Sequence, residues 1–72
     1  MTIDQMLKFD FRGVWNQEYA DKIAKYTDDE VVKEFESTKK RQDEVSDESL
    51  VYRICTDRLV VIQAELRKRN NK

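Results

Sequence analysis

The side chains that could perform covalent or acid–base chemistry are few in this sequence, and they form no catalytic pattern. The chain contains no histidine, which is the commonest general base near neutral pH. Its one cysteine, Cys55, falls on an apolar helical stripe, where a small buried thiol is expected. Ser46 and Ser49 have no base in a recognisable arrangement, and Gly13 stands alone instead of in a phosphate-binding loop. We therefore predict a protein that is not an enzyme.

A metal site would have to be built from carboxylates, and one acidic cluster is dense enough to suggest it. This cluster is Asp28, Asp29 and Glu30. Consecutive side chains on a helix point in different directions, however, and the spacing does not match that of a calcium-binding loop. Acidic residues in the first turn of a helix are explained by the positive end of the helix dipole. We predict no metal, no cofactor and no small-molecule substrate.

Two opposite charges interrupt an otherwise apolar helical face in the C-terminal third of the chain. Arg58 and Glu65 project from the middle of this face, one heptad apart. Three interpretations are open: their long side chains lie along the apolar surface with the charged ends in water, they pair with charges of a neighbouring helix, or they fix the register of an interface. The third interpretation makes the face an interaction site that also includes Tyr52, Leu59 and Leu66.

Two clusters of basic residues could contact phosphates. The first consists of Lys39, Lys40 and Arg41, and the second of Arg67, Lys68 and Arg69, followed by Lys72. Both lie near predicted helix C-termini, where cations offset the negative end of the helix dipole. The whole chain carries 14 basic and 15 acidic residues, which is not the balance of a typical nucleic-acid-binding protein. A nucleic-acid-associated regulatory protein that uses the clusters at 39–41 and 67–72 is therefore the alternative prediction.

Capping patterns mark the helices that must position these side chains. Thr27 and Glu30 match a capping box, Asn16 can cap a shorter helix, and Ser46 begins a third. These starts predict helices at about 17–26, 28–44 and 47–69. The predicted fold class is all-α: a small three-helix domain in which the last two helices form a hairpin and the first covers it.

The N-terminal segment allows two interpretations. Residues 7–11 alternate apolar and charged side chains, which is the period of a half-buried strand. Thr2 and Gln5 also match a capping box, with Met1 and Met6 as its hydrophobic staple. Because the sequence offers no convincing second strand, we favour a short helix or an ordered arm, and a strand would pair with another copy of the chain.

We treat the chain as one domain whose helical stripes supply the core. Its parts are an N-terminal arm or short helix at 1–15, a helical core at 16–69 and a flexible tail at 70–72. The side chains predicted to be buried are Trp15, Tyr19, Ile23, Val31, Phe35, Ile54, Cys55, Leu59 and Ile62. The stripe of the second helix turns polar after Phe35, so it cannot cover the whole apolar face of the last helix.

The composition favours a small protein that associates. Only 39% of the residues are hydrophobic and 40% are charged, so the core of this 72-residue chain is thin. A single cysteine provides no disulfide to strengthen it, which leaves oligomerisation. No stretch approaches the roughly 18 apolar residues of a membrane span, and the N-terminus lacks the pattern of a signal peptide. We predict an intracellular, cytoplasmic protein without membrane contact, and a nuclear location is also compatible with the sequence.

Two blocks of the sequence resemble small uncharacterised fungal proteins. The first block carries YADK at 19–22, YTDDEV at 26–31 and STKKRQ at 37–42, and the second carries IQAELRKR at 62–69. Those proteins typically show a tyrosine–Ser/Thr–acidic capping box, a Lys-Thr-Arg-Gln-like segment and an Ile-Gln-x-Glu-Leu-x-x-Arg helix. They also carry a long glycine-rich apolar stretch between the blocks, which this chain lacks. The resemblance implies a helical organisation and no established activity, and no membrane-related role of that stretch carries over.

The sequence therefore predicts a non-catalytic helical protein that acts by protein–protein interaction. The expected partner is a second copy, which would give a homodimer through the helix at 47–69, or another protein. The segment 7–11 is a second candidate for this contact.

Overall fold

The computed structural model describes residues 2–70, which form four helices and no β-strand. The helices are α1 (Ile3–Leu7), α2 (Gln17–Ile23), α3 (Asp28–Glu44) and α4 (Leu50–Asn70). α3 and α4 form an antiparallel hairpin, and α1 and α2 both pack against α4. The predicted all-α fold with a short N-terminal helix is confirmed.

Three sequence predictions fall on residues outside the described range. These are the predicted role of Met1 in a hydrophobic staple, the predicted role of Lys72 in the second basic cluster, and residues 71–72 of the predicted flexible tail. Asn70, which was predicted to begin that tail, is the last residue of α4.

Side-chain caps fix three helix starts where the sequence predicts them. The hydroxyl of Thr2 accepts from the backbone N–H of Gln5 at 3.2 Å, and the Gln5 side chain accepts from the backbone of Thr2 at 2.9 Å. Thr27 and Glu30 form the same reciprocal pair at the start of α3, and Asn16 caps α2. The hydrogen bond from the Thr27 backbone lowers the pKa of Glu30. Each cap binds N–H groups that the first helical turn leaves without an intrahelical partner.

α4 begins three residues later than predicted, because a second serine supplies the cap. The hydroxyl of Ser49 accepts from the backbone N–H of Tyr52 at 3.1 Å, which is the geometry of an N-cap. Ser46 instead begins a turn, in which its carbonyl oxygen accepts from the backbone N–H and the hydroxyl of Ser49 at 3.0 and 2.7 Å. This turn reverses the chain between α3 and α4.

α2 ends at Ile23, earlier than the predicted position near residue 26, and Arg69 binds the chain that follows. The backbone tightens after Lys22 into i→i+3 hydrogen bonds, which leaves carbonyl groups without helical partners. The guanidinium of Arg69 donates to three carbonyl oxygens at this point of the chain, those of Ile23, Ala24 and Tyr26, at 3.3, 3.3 and 2.7 Å. The first of them also accepts from the backbone N–H of Tyr26 at 3.0 Å. It also donates to the carboxylates of Glu65 and Asp28 at 2.6 and 2.8 Å. The hydrogen bond to Glu65 raises the pKa of Arg69.

The core lies between α3 and α4 and is closed by α1 and α2. Its largest fully buried side chains are Phe35, Met6, Ile23, Leu59, Ile62, Val31 and Val61. Most of the predicted core is buried, including Cys55, but the predictions for Trp15 and Ile54 are wrong, because these side chains are 49% and 42% exposed. Trp15 precedes α2 in the chain, and the seven-residue α2 is too short to cover the part of α4 that carries Ile54. Met6, Val61 and Leu66 take the buried positions that the prediction omits.

The residues between α1 and α2 form an extended arm that packs on α4. The side-chain amide of Gln63 donates to the carbonyl oxygens of Met6 and Phe9 at 2.9 and 2.6 Å. The rings of Phe9 and Phe11 stack 5.5 Å apart, and both lie near Phe35. The alternation in this segment therefore marks an arm with one aromatic side, and the strand interpretation is wrong for the chain as described.

Candidate functional site

Polar side chains of α4 hold the other segments of the chain by their backbones. Asp57 accepts from the backbone N–H of Val14 at 2.7 Å. Gln63 binds the end of α1 and the arm, and Arg67 donates to the carbonyl oxygen of Leu7 at 3.3 Å. Together with Arg69, these groups serve the fold, and a ligand could recruit them only by releasing a segment.

Arg58 and Glu65 do not pair with each other. The guanidinium carbon of Arg58 lies 5.3 Å from the centroid of the Tyr19 ring, and the residue is exposed. Glu65 pairs with Arg69, and its side chain is 13% exposed. Glu65 therefore belongs to the structural network around Arg69, whereas Arg58 lies at the edge of the area that α2 covers.

The Tyr19 side chain joins α2 to α3 beneath Arg58. Its hydroxyl donates to a carboxylate oxygen of Glu34 at 3.0 Å. Burial, and then the hydrogen bond to Glu34, raise the pKa of Tyr19, and the nearby charge of Arg58 opposes this only in part. The phenol is therefore a stable neutral donor, and the contact positions α2 on one half of α4.

The first half of α4 presents apolar side chains that no other helix of residues 2–70 covers. Leu50 is 70% exposed, and Val51 and Ile54 are also exposed. Val14, which is 73% exposed, and Trp15 lie beside Ile54 at the end of the arm. We call these five side chains, Val14, Trp15, Leu50, Val51 and Ile54, the Ile54 surface.

Three open grooves meet at Ile54. One of about 510 Å³ lies between the arm and α4 beside Leu50, and a second of about 550 Å³ lies between Trp15 and Arg58. A third, of about 260 Å³, separates α4 from α3 near Arg41. The Ile54 side chain thus forms a ridge between grooves. Helices pack by placing the side-chain ridges of one helix into such grooves of another.

Gly13 brings the arm close enough to α4 to complete this surface. A Cβ atom at Gly13 would lie 2.5 Å from the carboxylate of Asp57 and 2.9 Å from its Cα atom. The absence of a side chain therefore lets Asp57 reach the backbone N–H of Val14. This hydrogen bond places Val14 and Trp15 next to Ile54.

The predicted interaction residues are divided between the core and the surface. Leu59 and Leu66 are buried within the fold, so neither side chain offers a surface to a partner. Tyr52 is half-buried, and Arg58 is the most exposed member of the predicted set. Glu65 is held by Arg69. Only the part of the predicted face around Tyr52 and Arg58 is accessible.

Sequence reasoning missed Val14, Trp15, Leu50, Val51 and Ile54 as surface residues. The signal that could have found the α4 members is the surplus apolar width of that helix. It does not say which half of the helix remains uncovered, because that depends on where α2 ends. Val14 and Trp15 had no local signal, since apolar residues ahead of a helix are common in cores as well.

The first basic cluster is only partly available for binding. Lys39 pairs with Asp43 at 2.6 Å, lies 5.2 Å from the centroid of the Phe9 ring, and has a largely buried side chain. Lys40 and Arg41 are exposed near the end of α3, and Arg41 lies across a groove from the start of α4.

The second basic cluster lies at the opposite end of the α3–α4 hairpin. Arg69 is bound by backbone and carboxylate groups near the start of α3, and Arg67 binds the backbone of Leu7. Lys68 is exposed. The described residues therefore do not join the two clusters into one basic surface, and the nucleic-acid alternative stays a prediction.

The acidic cluster has structural partners. Asp28 pairs with Arg69, and Glu30 closes the cap of α3. Within residues 2–70, no three thiol or carboxylate side chains are grouped so that they could hold a metal ion. In the same part of the chain, no helix has the length and apolar composition needed to cross a membrane.

No protein-family model, curated protein or solved structure matches this chain. The resemblance to small fungal proteins therefore stays a prediction from the sequence. The function has to be inferred from the chemistry and shape of the molecule, in which the Ile54 surface is the feature that the fold itself does not use.

Proposed function

We propose that this chain is a non-catalytic interaction protein that self-associates through the Ile54 surface. The observation that carries this function is the contiguous exposure of apolar side chains on the first half of α4 and the end of the arm. Scattered apolar residues are normal on a protein surface, but a grouped set with charged residues around it is typical of a binding site.

The size of the Ile54 surface supports association with a protein partner. Its five side chains offer on the order of 500 Å² of exposed apolar area, which is at the upper end for a protein that remains monomeric. Because interfaces are slightly more than half apolar, a surrounding rim of charged residues would bring the contact to about 800–900 Å² per copy. That is the size of a standard stable interface.

A second α4 is the partner that fits the shape of this surface. α2 already packs on the second half of the same α4 face, beside Val61 and Glu65. Its cover ends near Arg58. A helix of a second copy that lies over Leu50 and Ile54 would cover the first half of this α4 face, as α2 covers its second half.

No catalytic step is part of this function. The single thiol, Cys55, is buried, and the acidic cluster at the start of α3 is engaged in capping and ion pairing. A lone unpaired thiol also suits a reducing compartment, and we propose that the protein acts in the cytoplasm.

Sedimentation equilibrium from low to high micromolar concentration tests the self-association. We expect the wild-type chain to reach the mass of a dimer and Ile54→Lys to remain monomeric, because the substitution places an unpaired charge in the apolar contact. Ile3→Lys is the matched control. The exposed fraction of Ile3, 36%, is similar to the 42% of Ile54. Ile3 lies far from the Ile54 surface, however, beside Leu66 and Asn70 at the other end of α4.

The two variants should differ in mass and not in fold, which far-UV circular dichroism checks. A wild-type chain that stays monomeric at high micromolar concentration would refute the proposed function. If Ile54→Lys dimerises with the same dissociation constant as the wild type, association uses another surface, and the proposed function is refuted as well.

A further inference from the structure

We infer that the second copy packs with its α4 antiparallel to the first, and that Arg58 of each copy binds Asp47 of the other. This inference rests on the proposed self-association and adds the arrangement of the two copies and the charges that select it.

Arg58 and Asp47 are exposed charges at the two ends of the Ile54 surface. Asp47 lines the groove beside Leu50, and Arg58 lines the groove beside Trp15. Neither side chain takes part in an ion pair within residues 2–70. The face of the Arg58 guanidinium covers the Tyr19 ring, but its edge carries N–H donors that suit a carboxylate.

The positions of Asp47 before α4 and of Arg58 on it bring these charges to the same end of the contact when two copies are antiparallel. Leu50 and Ile54 are one helical turn apart, about 6 Å along the axis at ~1.5 Å per residue. A two-fold axis level with Tyr52 places Leu50 of each copy against Ile54 of the other. Asp47 lies in the turn before α4, on the Leu50 side of the surface, so the same operation brings Asp47 of one copy to the end of the contact at which Arg58 of the other lies. The apolar contact and both ion pairs therefore form in a single register.

A parallel arrangement would bring like charges together. Arg58 would then face Arg58 of the second copy, and Asp47 would face Asp47. Juxtaposed like charges disfavour such a register, so the same two residues that stabilise the antiparallel dimer act against the alternative. The resulting contact is symmetric and closed, because each copy contributes the same patch.

Charge reversal tests the arrangement. Arg58→Asp and Asp47→Arg should each weaken dimerisation by about tenfold or more, because each creates two like-charge contacts per dimer. The two variants should form a mixed dimer with each other, with a dissociation constant within about threefold of the wild-type value, because both contacts are then attractive again. Sedimentation velocity of each variant and of their equimolar mixture measures this.

Arg58→Gln controls for loss of the contact with Tyr19. It removes the ion pair without repulsion and should weaken dimerisation by less than Arg58→Asp does. Circular dichroism and thermal melting of every variant check that the monomer is folded.

The outcomes separate this inference from the proposed function. If the wild-type chain dimerises, Ile54→Lys abolishes the dimer, and the charge reversals have no effect, the antiparallel arrangement is wrong while the proposed function stands. Failure of the mixture to restore association would also overturn the arrangement. A monomeric wild-type chain would overturn both.

Discussion

Replacing Arg69 by methionine should destabilise the protein more than any other change to a basic side chain of α4. The guanidinium donates to three backbone carbonyl oxygens of the α2–α3 connection and to two carboxylates. Methionine keeps most of the aliphatic stem but removes every donor. The substitution therefore removes the donor of Glu65 and of the Ala24 and Tyr26 carbonyl groups, whereas the Ile23 carbonyl keeps its hydrogen bond from the backbone of Tyr26.

The expected loss follows from the burial of these groups. The Arg69 side chain is 19% exposed and that of Glu65 is 13% exposed, so water replaces their hydrogen bonds poorly. The bond to Asp28 adds little, because that side chain is 78% exposed. Hydrogen bonds to a charged group contribute ~1.5–3 kcal/mol each and are not additive, so we expect the free energy of unfolding to fall by about 3 kcal/mol. In a domain of this size, that lowers Tm by about 12–24 °C.

Urea and thermal denaturation, followed by far-UV circular dichroism, measure this loss. Arg67→Met is the matched control: Arg67 is exposed and makes one hydrogen bond of 3.3 Å, so its loss should be below about 1 kcal/mol. Hydrogen exchange should show faster exchange of the amides at the end of α2 only in the Arg69 variant. An Arg69→Met protein as stable as Arg67→Met would refute the structural role assigned to this guanidinium.

Three further predictions concern the arm, the cap of α3 and the basic clusters. Gly13→Ala should lower the free energy of unfolding by about 1–2 kcal/mol in urea denaturation, because the added methyl group meets the Asp57 carboxylate at 2.5 Å; unchanged stability would show that the arm moves away freely. The pKa of Glu30 is lowered in the folded state, so its stabilising effect is present above its ordinary pKa of 4.5 and is lost as the pH falls through the folded value. Glu30→Gln keeps a hydrogen-bond acceptor that does not titrate, so the loss of stability between about pH 6 and pH 3 should be smaller than in the wild type, and equal losses would contradict this. The nucleic-acid alternative predicts binding to duplex or single-stranded DNA or RNA that weakens steeply with salt, and fluorescence anisotropy without binding at low salt would exclude it.

Helix starts could be predicted because each is determined by a few adjacent residues. Thr2, Asn16 and Thr27 all accept the backbone N–H groups that the capping patterns indicate. The predicted start of α4 is three residues too early because Ser46 and Ser49 have the same capping chemistry. Only the geometry of the chain reversal decides between them.

The end of α2 and the role of Arg69 could not be predicted locally. The carbonyl groups that Arg69 binds are 43 to 46 residues away in the sequence. Nothing in the local pattern distinguishes Arg69 from Arg67 or Lys68, which are equally basic and lie in the same helical turn. Arg69 thus belongs to a basic cluster by sequence, but its acceptors are carbonyl groups of the chain itself.

The location of the Ile54 surface depended on the same long-range information. Ile54 and Leu59 both belong to the apolar side of α4, and the sequence favours neither as the exposed one. Leu59 is buried and Ile54 is exposed because of where the other helices end. The sequence could thus predict that part of α4 is uncovered but not which part.

The anchoring of the arm by α4 also determines when the chain can fold as it is synthesised. Gln63 holds residues 54 and 57 positions earlier in the chain, and Arg67 holds one 60 positions earlier. Isolated helices shorter than about 12–15 residues are marginal in water, so α1 and α2 cannot persist alone as they leave the ribosome. The nascent chain must therefore expose Phe9 and Phe11 to water until α4 emerges. The arm can be bound only after Gln63 and Arg67 have been synthesised, so its packing follows the formation of α4.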